Sequence, residues 1–340
     1  MLNFRNDYST GAAPEVLEAL CRTNELHTEG YGLDPICQKV EEELRSLCQN
    51  PRAAVHFLSG GTQANKVVID ALLRPYEAVL APQTGHICGH EAGAIEHDGH
   101  KILTIAAPDG KLEPRSLRTV CQSHREEYDP VPRLVYISNT TEWGTVYTRE
   151  ELAKLRAECD RLGLLLYCDG ARLASALAAG ETDFADYGAC CDAFTIGGTK
   201  AGLLFGEAVV IVNPAFQEGF RRCMKQQGAV LAKGRLLGVQ FDAILKNGMY
   251  TKRAGHANRL ARALADGLER LGVGLRFPCR SNQLFPVLPD HVVEKLRPEA
   301  AFEVIGEVEN GRACIRLVTA WDTTQEEVDA LLALLGRLLR

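Results

Sequence analysis

Seven short apolar runs, at 53–59, 78–81, 102–105, 134–138, 164–168, 193–196 and 208–212, punctuate this chain, with helix-like stretches between several of them. A strand that is apolar throughout belongs in a sheet covered on both faces. Strands separated by helices pair in parallel through crossover connections. The pattern therefore predicts an α/β fold, a mostly parallel sheet flanked by helices. Residues 14–22 and 34–47 read as amphipathic helices, the second with Pro35 in its first turn. The stretch 62–73 follows Gly60-Gly61 as a helix, and 149–162 reads as another. Residues 214–273 lose strand character and read as long helices broken at Gly248. From 274 the alternation returns, with FPVL and ACIRLVT as strands and a final Leu-rich helix over 324–339. The expected division is an N-terminal segment (1–30), a large α/β domain (31–245) and a smaller α+β C-terminal domain (246–340).

Composition narrows the function classes. The 340 residues carry a formal net charge of −6, with no basic tract dense enough to follow a phosphate backbone or hold an anionic membrane. A chain this long buries roughly three quarters of its unfolded surface, so its core needs neither disulfide nor metal. Its 12 cysteines are scattered through hydrophobic segments, with no C-x-x-C pair and no Cys/His cluster at zinc spacing. They read as reduced, mostly buried small hydrophobes. MLNFRNDYST lacks the blocks of a signal peptide, and no apolar run reaches membrane-spanning length. The expected compartment is the cytoplasm.

No G-x-G-x-x-G, G-x-x-x-x-G-K-[ST] or G-x-S-x-G occurs. Present instead, in order, are S-G-G-T-Q-A-N (59–65), H-I-C-G-H-E-A-G (86–93), Y-C-D-G-A-R (167–172) and F-T-I-G-G-T-K (194–200). Three of the four end a predicted strand, where α/β folds gather ligands. Lys200 follows an apolar strand and two glycines; a partly desolvated amine there has a lowered pKa and becomes a nucleophile for a cofactor aldehyde. The bland alternative is a surface loop lysine. Asp169 ends LLLYCD, where a carboxylate needs a cation, such as a pyridinium nitrogen, or else caps the next helix. Arg172, three residues on, suits a carboxylate ligand. Gly60, Gly61 and Thr62 offer N–H groups and a hydroxyl to a phosphate, or form a plain tight turn. His86 suits stacking or proton transfer, or is structural. A metal site from His86, His90, Glu91, His97 and His100 has irregular spacing, and none is expected.

As a set, these motifs resemble the low-specificity L-threonine aldolases, in the β-eliminating lyase group of fold-type I pyridoxal-phosphate enzymes. The resemblance runs nearly end to end: FRNDYSTGAAPEVLEAL, EGYGLDP, SGGTQAN, GHICGHEAG, TEWGTVYT, YCDGARLASA, GGTKAG and IRLVTAWDT. It implies a fold-type I PLP-dependent architecture and pyridoxal 5'-phosphate as cofactor. It further implies a Schiff base at Lys200, Asp169 facing the pyridine nitrogen, Gly61 and Thr62 on the phosphate, and His86 stacked over the ring. Arg172, beside the cofactor, and Arg316 are expected to clamp the substrate carboxylate, with Asn6 near it. A homodimer or homotetramer is implied, its active site completed across the interface. Tyr31 matches a tyrosine that the neighbour supplies, and Lys233 falls where a partner's basic residue reaches the phosphate.

Three positions depart from the family pattern. Asn6 stands where Ser is frequent. T-T-E-W-G puts Glu142 where many members have a second histidine, so Glu142 would assist deprotonation with a different pKa and reach. G-G-T-K replaces S-K around Lys200, a conservative change. The expected reaction is retro-aldol cleavage of L-threonine, L-allo-threonine and related β-hydroxy-α-amino acids to glycine and an aldehyde. Glu142 and Trp143 motivate two alternatives, β-elimination and a phenylserine-type aldolase. A non-catalytic binding protein on this fold is disfavoured by the intact Lys200, Asp169 and Arg172.

Overall fold

A computed structural model describes residues 1–340, apart from the side chains of residues 307–309. All seven apolar runs are strands of one sheet: β1 (Ala54–Leu58), β2 (Glu77–Pro82), β3 (Lys101–Ile105), β4 (Val131–Ser138), β5 (Leu165–Asp169), β6 (Ala193–Gly197) and β7 (Glu207–Ile211). Their order is β1-β7-β6-β5-β4-β2-β3. Pairing is parallel from β6 through β3, whereas β7 runs antiparallel to both β6 and β1. The link 198–206 is too short for a parallel crossover, so the chain must turn back there. An apolar run carries no such directional signal, because burial on both faces selects the same residues either way.

The main helices are α1 (Pro14–Thr23), α2 (Pro35–Leu47), α3 (Gly61–Leu72), α4 (Arg149–Leu162), α5 (Met249–Arg270) and α6 (Gln325–Leu338), of which α2, α3, α4 and the start of α5 bury side chains against the large sheet. Their boundaries have local causes. Asp34 caps α2 by accepting from the N–H groups of Ile36 and Cys37, with Pro35 at the first helical position. Thr148 and Glu151 form a capping box on α4, and Gly163 ends it at φ +67°. The expected break at Gly248 is the start of α5, but residues 214–234 hold only short helical pieces before Arg235–Leu245. Alternate side chains of β4 feed opposite faces of the sheet. Val135 and Ile137 join Val40, Leu152 and Tyr250 on one side, while Leu134 and Tyr136 join Val67, Val68 and Phe220 on the other. Each large apolar side chain so enclosed contributes roughly 1.5–3 kcal/mol.

A separate apolar cluster joins Leu260, Leu264 and Leu268 of α5 to Ile315, Leu317, Leu331 and Leu335. It lies under a small antiparallel sheet of β8 (Val287–Pro289), β9 (Glu303–Glu309) and β10 (Arg312–Val318), with Gln283–Leu284 added to β10. The expected FPVL strand is thus divided around Pro286, whose ring has no N–H for the ladder.

Strand register gathers the site at one sheet edge. Ser138 lies opposite Asp169, and Glu207 lies opposite both Leu58 and Gly197. The turns behind Asp169 and before Lys200 pack backbone against backbone. A Cβ on Gly170 would meet the Thr195 carbonyl oxygen at 2.0 Å, and one on Gly197 would meet that of Ala171 at 2.4 Å. Any side chain at either position pushes these turns, and the residues they carry, apart.

Candidate active site

The first four N–H groups of a helix lack partners within it. At the start of α3 the capping residue is Gly60, with no side-chain cap, and open space lies where a Cβ would stand on Gly60 or Gly61. This cradle opens into a cavity of about 310 Å³ lined by Gly61, Thr62, Asn65, His86, Asp169, Thr199, Lys200 and Glu207. An anion is favoured there by the free donors and the helix dipole.

Asp169 is 5% exposed at the end of β5 and is held from three sides. Its Oδ2 accepts from Asn65 Nδ2 at 2.9 Å and from the Tyr136 hydroxyl at 2.8 Å, and its Oδ1 accepts from the Ala171 N–H at 2.9 Å. Asn65 also donates to Glu91 Oε1 at 2.8 Å, which accepts from His86 Nδ1 at 2.7 Å. A single hydrogen-bonded chain therefore runs from Asp169 through Asn65 and Glu91 to His86. The bond to Glu91 raises the His86 pKa against the effect of burial, with help from Glu142 and Asp169. It also fixes the ring tautomer, leaving Nε2 as the free nitrogen.

Lys200 occupies the turn Thr199–Ala201 after β6. Burial lowers its pKa, Arg172 adds to that, and the carboxylates of Asp7, Glu142 and Asp169 oppose it. Glu207 shares the cavity, accepting from the Thr199 hydroxyl at 3.1 Å while its Oε2 has no partner. Burial, assisted by Asp169 and opposed by Lys200, pushes its pKa up to about 8. Glu207 therefore keeps its proton to a higher pH than an ordinary glutamate.

A second cavity, of about 550 Å³, shares His86, Glu142, Arg172 and Lys200 with the first and adds Trp143, Phe285, Glu303 and Arg316. Arg172 is buried and bidentate on Asp7, with Nε to Oδ2 at 2.8 Å and Nη2 to Oδ1 at 3.0 Å. Arg316 reaches Glu303 Oε2 at 2.6 Å, and its Nε is buried without a partner. Glu142 accepts from the Ser138 hydroxyl at 3.3 Å. The geometry thus brings together an anion cradle, an acid for a cationic ring nitrogen, a lysine of lowered pKa and two arginines. This combination fits pyridoxal phosphate.

Asn6, Tyr31 and Lys233 line neither cavity. The Asn6 side-chain carbonyl accepts from the Tyr8 N–H and the Ser9 hydroxyl, and Tyr8 rather than Asn6 borders both cavities. Tyr31 is 49% exposed, with Lys225 over its ring at 5.1 Å, and Lys233 is exposed in the turn before Arg235.

Comparison with known proteins decides the lineage. The model of the family "Beta-eliminating lyase" matches residues 3–288. The chain belongs to the β-eliminating lyase family. Within it, the chain is similar to the low specificity L-threonine aldolase of Pseudomonas aeruginosa, 34% identical over 96% of this chain and 95% of that one. A solved structure of Leishmania major threonine aldolase is 42% identical, covers all of both chains and superposes with a TM-score of 0.98. Sphingomonas wittichii serine palmitoyltransferase, 16% identical over 99% of this chain and 86% of that one, shares the fold with a TM-score of 0.76. The expected fold-type I architecture is borne out, as is a carbon–carbon lyase of the threonine aldolase type.

Several residues of this β-eliminating lyase site received no role from the sequence motifs, although Asn65 and Asp7 lie inside two of the quoted segments. Asn65 stands four residues after Gly61, one helical turn on, so its position on the inner face of α3 was readable once α3 was accepted. Glu207 announced itself as an acid opening the apolar run EAVVIV. Asp7 carried no signal because Arg172 lies 165 residues away, and Glu303 none because it meets Arg316 only through the register of a hairpin.

Proposed function

We propose that this chain cleaves β-hydroxy-α-amino acids, L-threonine and L-allo-threonine among them, to glycine and an aldehyde with pyridoxal phosphate as cofactor. The observation that carries this reading is the convergence of the α3 cradle, Asp169, Lys200 and two arginines on adjoining cavities. The 34% identity to an aldolase over almost the whole chain supports it. When bound, the cofactor supplies an electron sink for the pair left on Cα as the Cα–Cβ bond breaks.

Around it, Gly61 and Thr62 bind the phosphate, and Asp169 gives the ring nitrogen a negative partner. Lys200 Nζ holds the cofactor and yields it to the incoming amine. Arg172 and Arg316 receive the substrate carboxylate, which turns the Cα–Cβ bond toward the orientation that breaks. His86 Nε2 takes the β-hydroxyl proton, its other nitrogen held by Glu91, and Glu142 beside it lowers the cost of the charge that develops on the imidazole. Cα then takes a proton, and glycine and the aldehyde leave. Assays of threonine, allo-threonine, phenylserine and serine should yield glycine and aldehyde from the first three. Release of pyruvate or ammonia without glycine would refute the reading. Phenylserine is favoured as a good substrate by Trp143 and Phe285, whose rings lie 5.2 Å apart in the wall of the larger cavity.

The active unit is a homodimer or larger. Exposed Leu17, Leu26, Tyr31, Leu33, Leu204 and Phe205 support this, and a groove of about 390 Å³ lined by Leu20, Leu204 and Leu236 meets the cofactor cavity at Phe205. Tyr31, outside its own cavities, is then free to complete a neighbour's. Light scattering should give at least twice the 37.2 kDa chain mass, and a monomer with full activity would rule it out. No helix among the described residues is long and apolar enough to cross a membrane, and none of the 12 cysteines is in a disulfide, which supports a cytoplasmic setting. A smaller C-terminal domain is supported by the separate apolar cluster beneath the C-terminal sheet, which begins at Leu260 on α5 and takes in Phe4, while Tyr250 packs into the large-sheet core.

A further inference from the structure

The two arginines that face the larger cavity are held very differently. Arg172 has a fixed counter-ion, since the side chains of Arg172 and Asp7 are 8% and 2% exposed and make two parallel hydrogen bonds. Asn282 also donates to Asp7 Oδ2 at 2.9 Å. Arg316 Nη2 instead reaches, at 2.6 Å, a carboxylate that is itself 39% exposed. The Arg316 Nε has no partner at all. Glu303 and Arg316 stand directly opposite each other on β9 and β10, so both side chains leave the sheet on the same face and reach the same cavity. β9 is an outer strand of the small sheet, paired to β10 alone, and its register with β10 shifts beyond Ile305.

We propose that Glu303 is a displaceable counter-ion that occupies the place of the substrate carboxylate on Arg316 and swings aside when an amino acid binds. The proposal rests on the reading that Arg316 receives that carboxylate. A planar guanidinium offers two N–H groups along one edge to a carboxylate. Glu303 reaches Nη2 while Nε stays unpartnered, so half of that edge is unused, and an incoming carboxylate can take both donors once Glu303 departs. A half-exposed carboxylate on an outer strand regains water on leaving, whereas Asp7, fully enclosed, does not. Glu303 therefore keeps Arg316 aimed and charge-balanced in the empty site, at the cost of weakening amino-acid binding. Because it is displaced in bound substrate and in the transition state alike, it acts on affinity and not on the chemical step. Glu303 thus sets how tightly ligands bearing an α-carboxylate are held and leaves ligands without one unaffected.

The test uses the holoenzyme and glycine, with binding read by calorimetry. Glu303→Gln should tighten glycine about fivefold, the scale of a half-exposed ion pair. KM should fall by a similar factor with kcat unchanged. Glycinamide, which lacks the carboxylate, should gain nothing. In an Arg316→Met background the Glu303→Gln change should have no effect on glycine. Weaker or unchanged glycine binding in Glu303→Gln, with Arg316→Met still weakening it, overturns the proposal alone. Unaltered glycine binding in Arg316→Met overturns the role of Arg316 and the proposal together.

Discussion

Lys200→Ala should abolish the visible absorbance of lysine-held pyridoxal phosphate and lower aldol cleavage by roughly 10⁴-fold or more. The effect is large because in the proposed function the same amine both holds the cofactor and yields it to substrate, and no other lysine among the described residues lines either cavity. Burial and the nearby Arg172 keep its pKa below the ordinary lysine value, so part of the population has the lone pair that a nucleophile needs. The fold should survive the change. Removing the ammonium exposes Asp7, Asp169, Glu142 and Glu207 to one another, but Glu207, already pushed up to about 8, takes up a proton more readily when its neighbouring cation is gone. Asp7 keeps Arg172, and Asp169 keeps three donors. Far-ultraviolet circular dichroism of the variant should therefore match the wild type. An unchanged visible spectrum, or cleavage within tenfold of wild type, would remove Lys200 from its role.

How much of this was legible in the sequence depends on the range of the interaction. Strand and helix positions follow from local periodicity, and Gly61, Thr62, Asp169 and Lys200 each end or begin a periodic element, so their convergence at one sheet edge follows from α/β topology. Arg172 was legible through its spacing from Asp169. Its counter-ion was not, because Asp7 lies 165 residues away and only the docking of the N-terminal segment brings them together. The same holds for the bridge that the Asn65 side chain makes between β5 and the His86 segment, although its place on α3 was readable, and for Glu303, set opposite Arg316 by a hairpin register that no motif encodes. The resemblance to the aldolases supplied Arg316 and Tyr31, which no spacing rule would have chosen. It also suggested Asn6 beside the carboxylate site, yet the amide is turned into its own loop and Tyr8 faces the cavities.

Asp7→Ala should destabilise the cofactor-free protein by about 3–5 kcal/mol, the range found when one member of a buried ion pair is removed. The Arg172 guanidinium would remain enclosed with no carboxylate for its Nε and Nη2, and Asn282 would lose an acceptor. Burial by itself would raise the Asp7 pKa; Arg172 and Lys200 overcome it and hold the carboxyl below its ordinary value. The unfolded chain therefore binds the proton more readily than the folded one. The contribution is complete above about pH 4, the ordinary aspartate range, and fades as the pH falls from there toward the folded value. Urea titrations should accordingly show a large gap between wild type and variant at neutral pH that narrows in acid. Function should suffer separately, since Arg172 untethered from Asp7 no longer presents a fixed edge to the substrate carboxylate, and glycine should bind at least tenfold more weakly. Pairing the change with Arg172→Met separates the two effects. The doubly substituted chain has no buried charge to strand, so it should recover most of the lost stability while glycine affinity stays low. A single Asp7→Ala chain as stable as wild type at neutral pH would mean that water, not Asp7, satisfies Arg172, and the fixed arginine would then have to be held by the substrate itself.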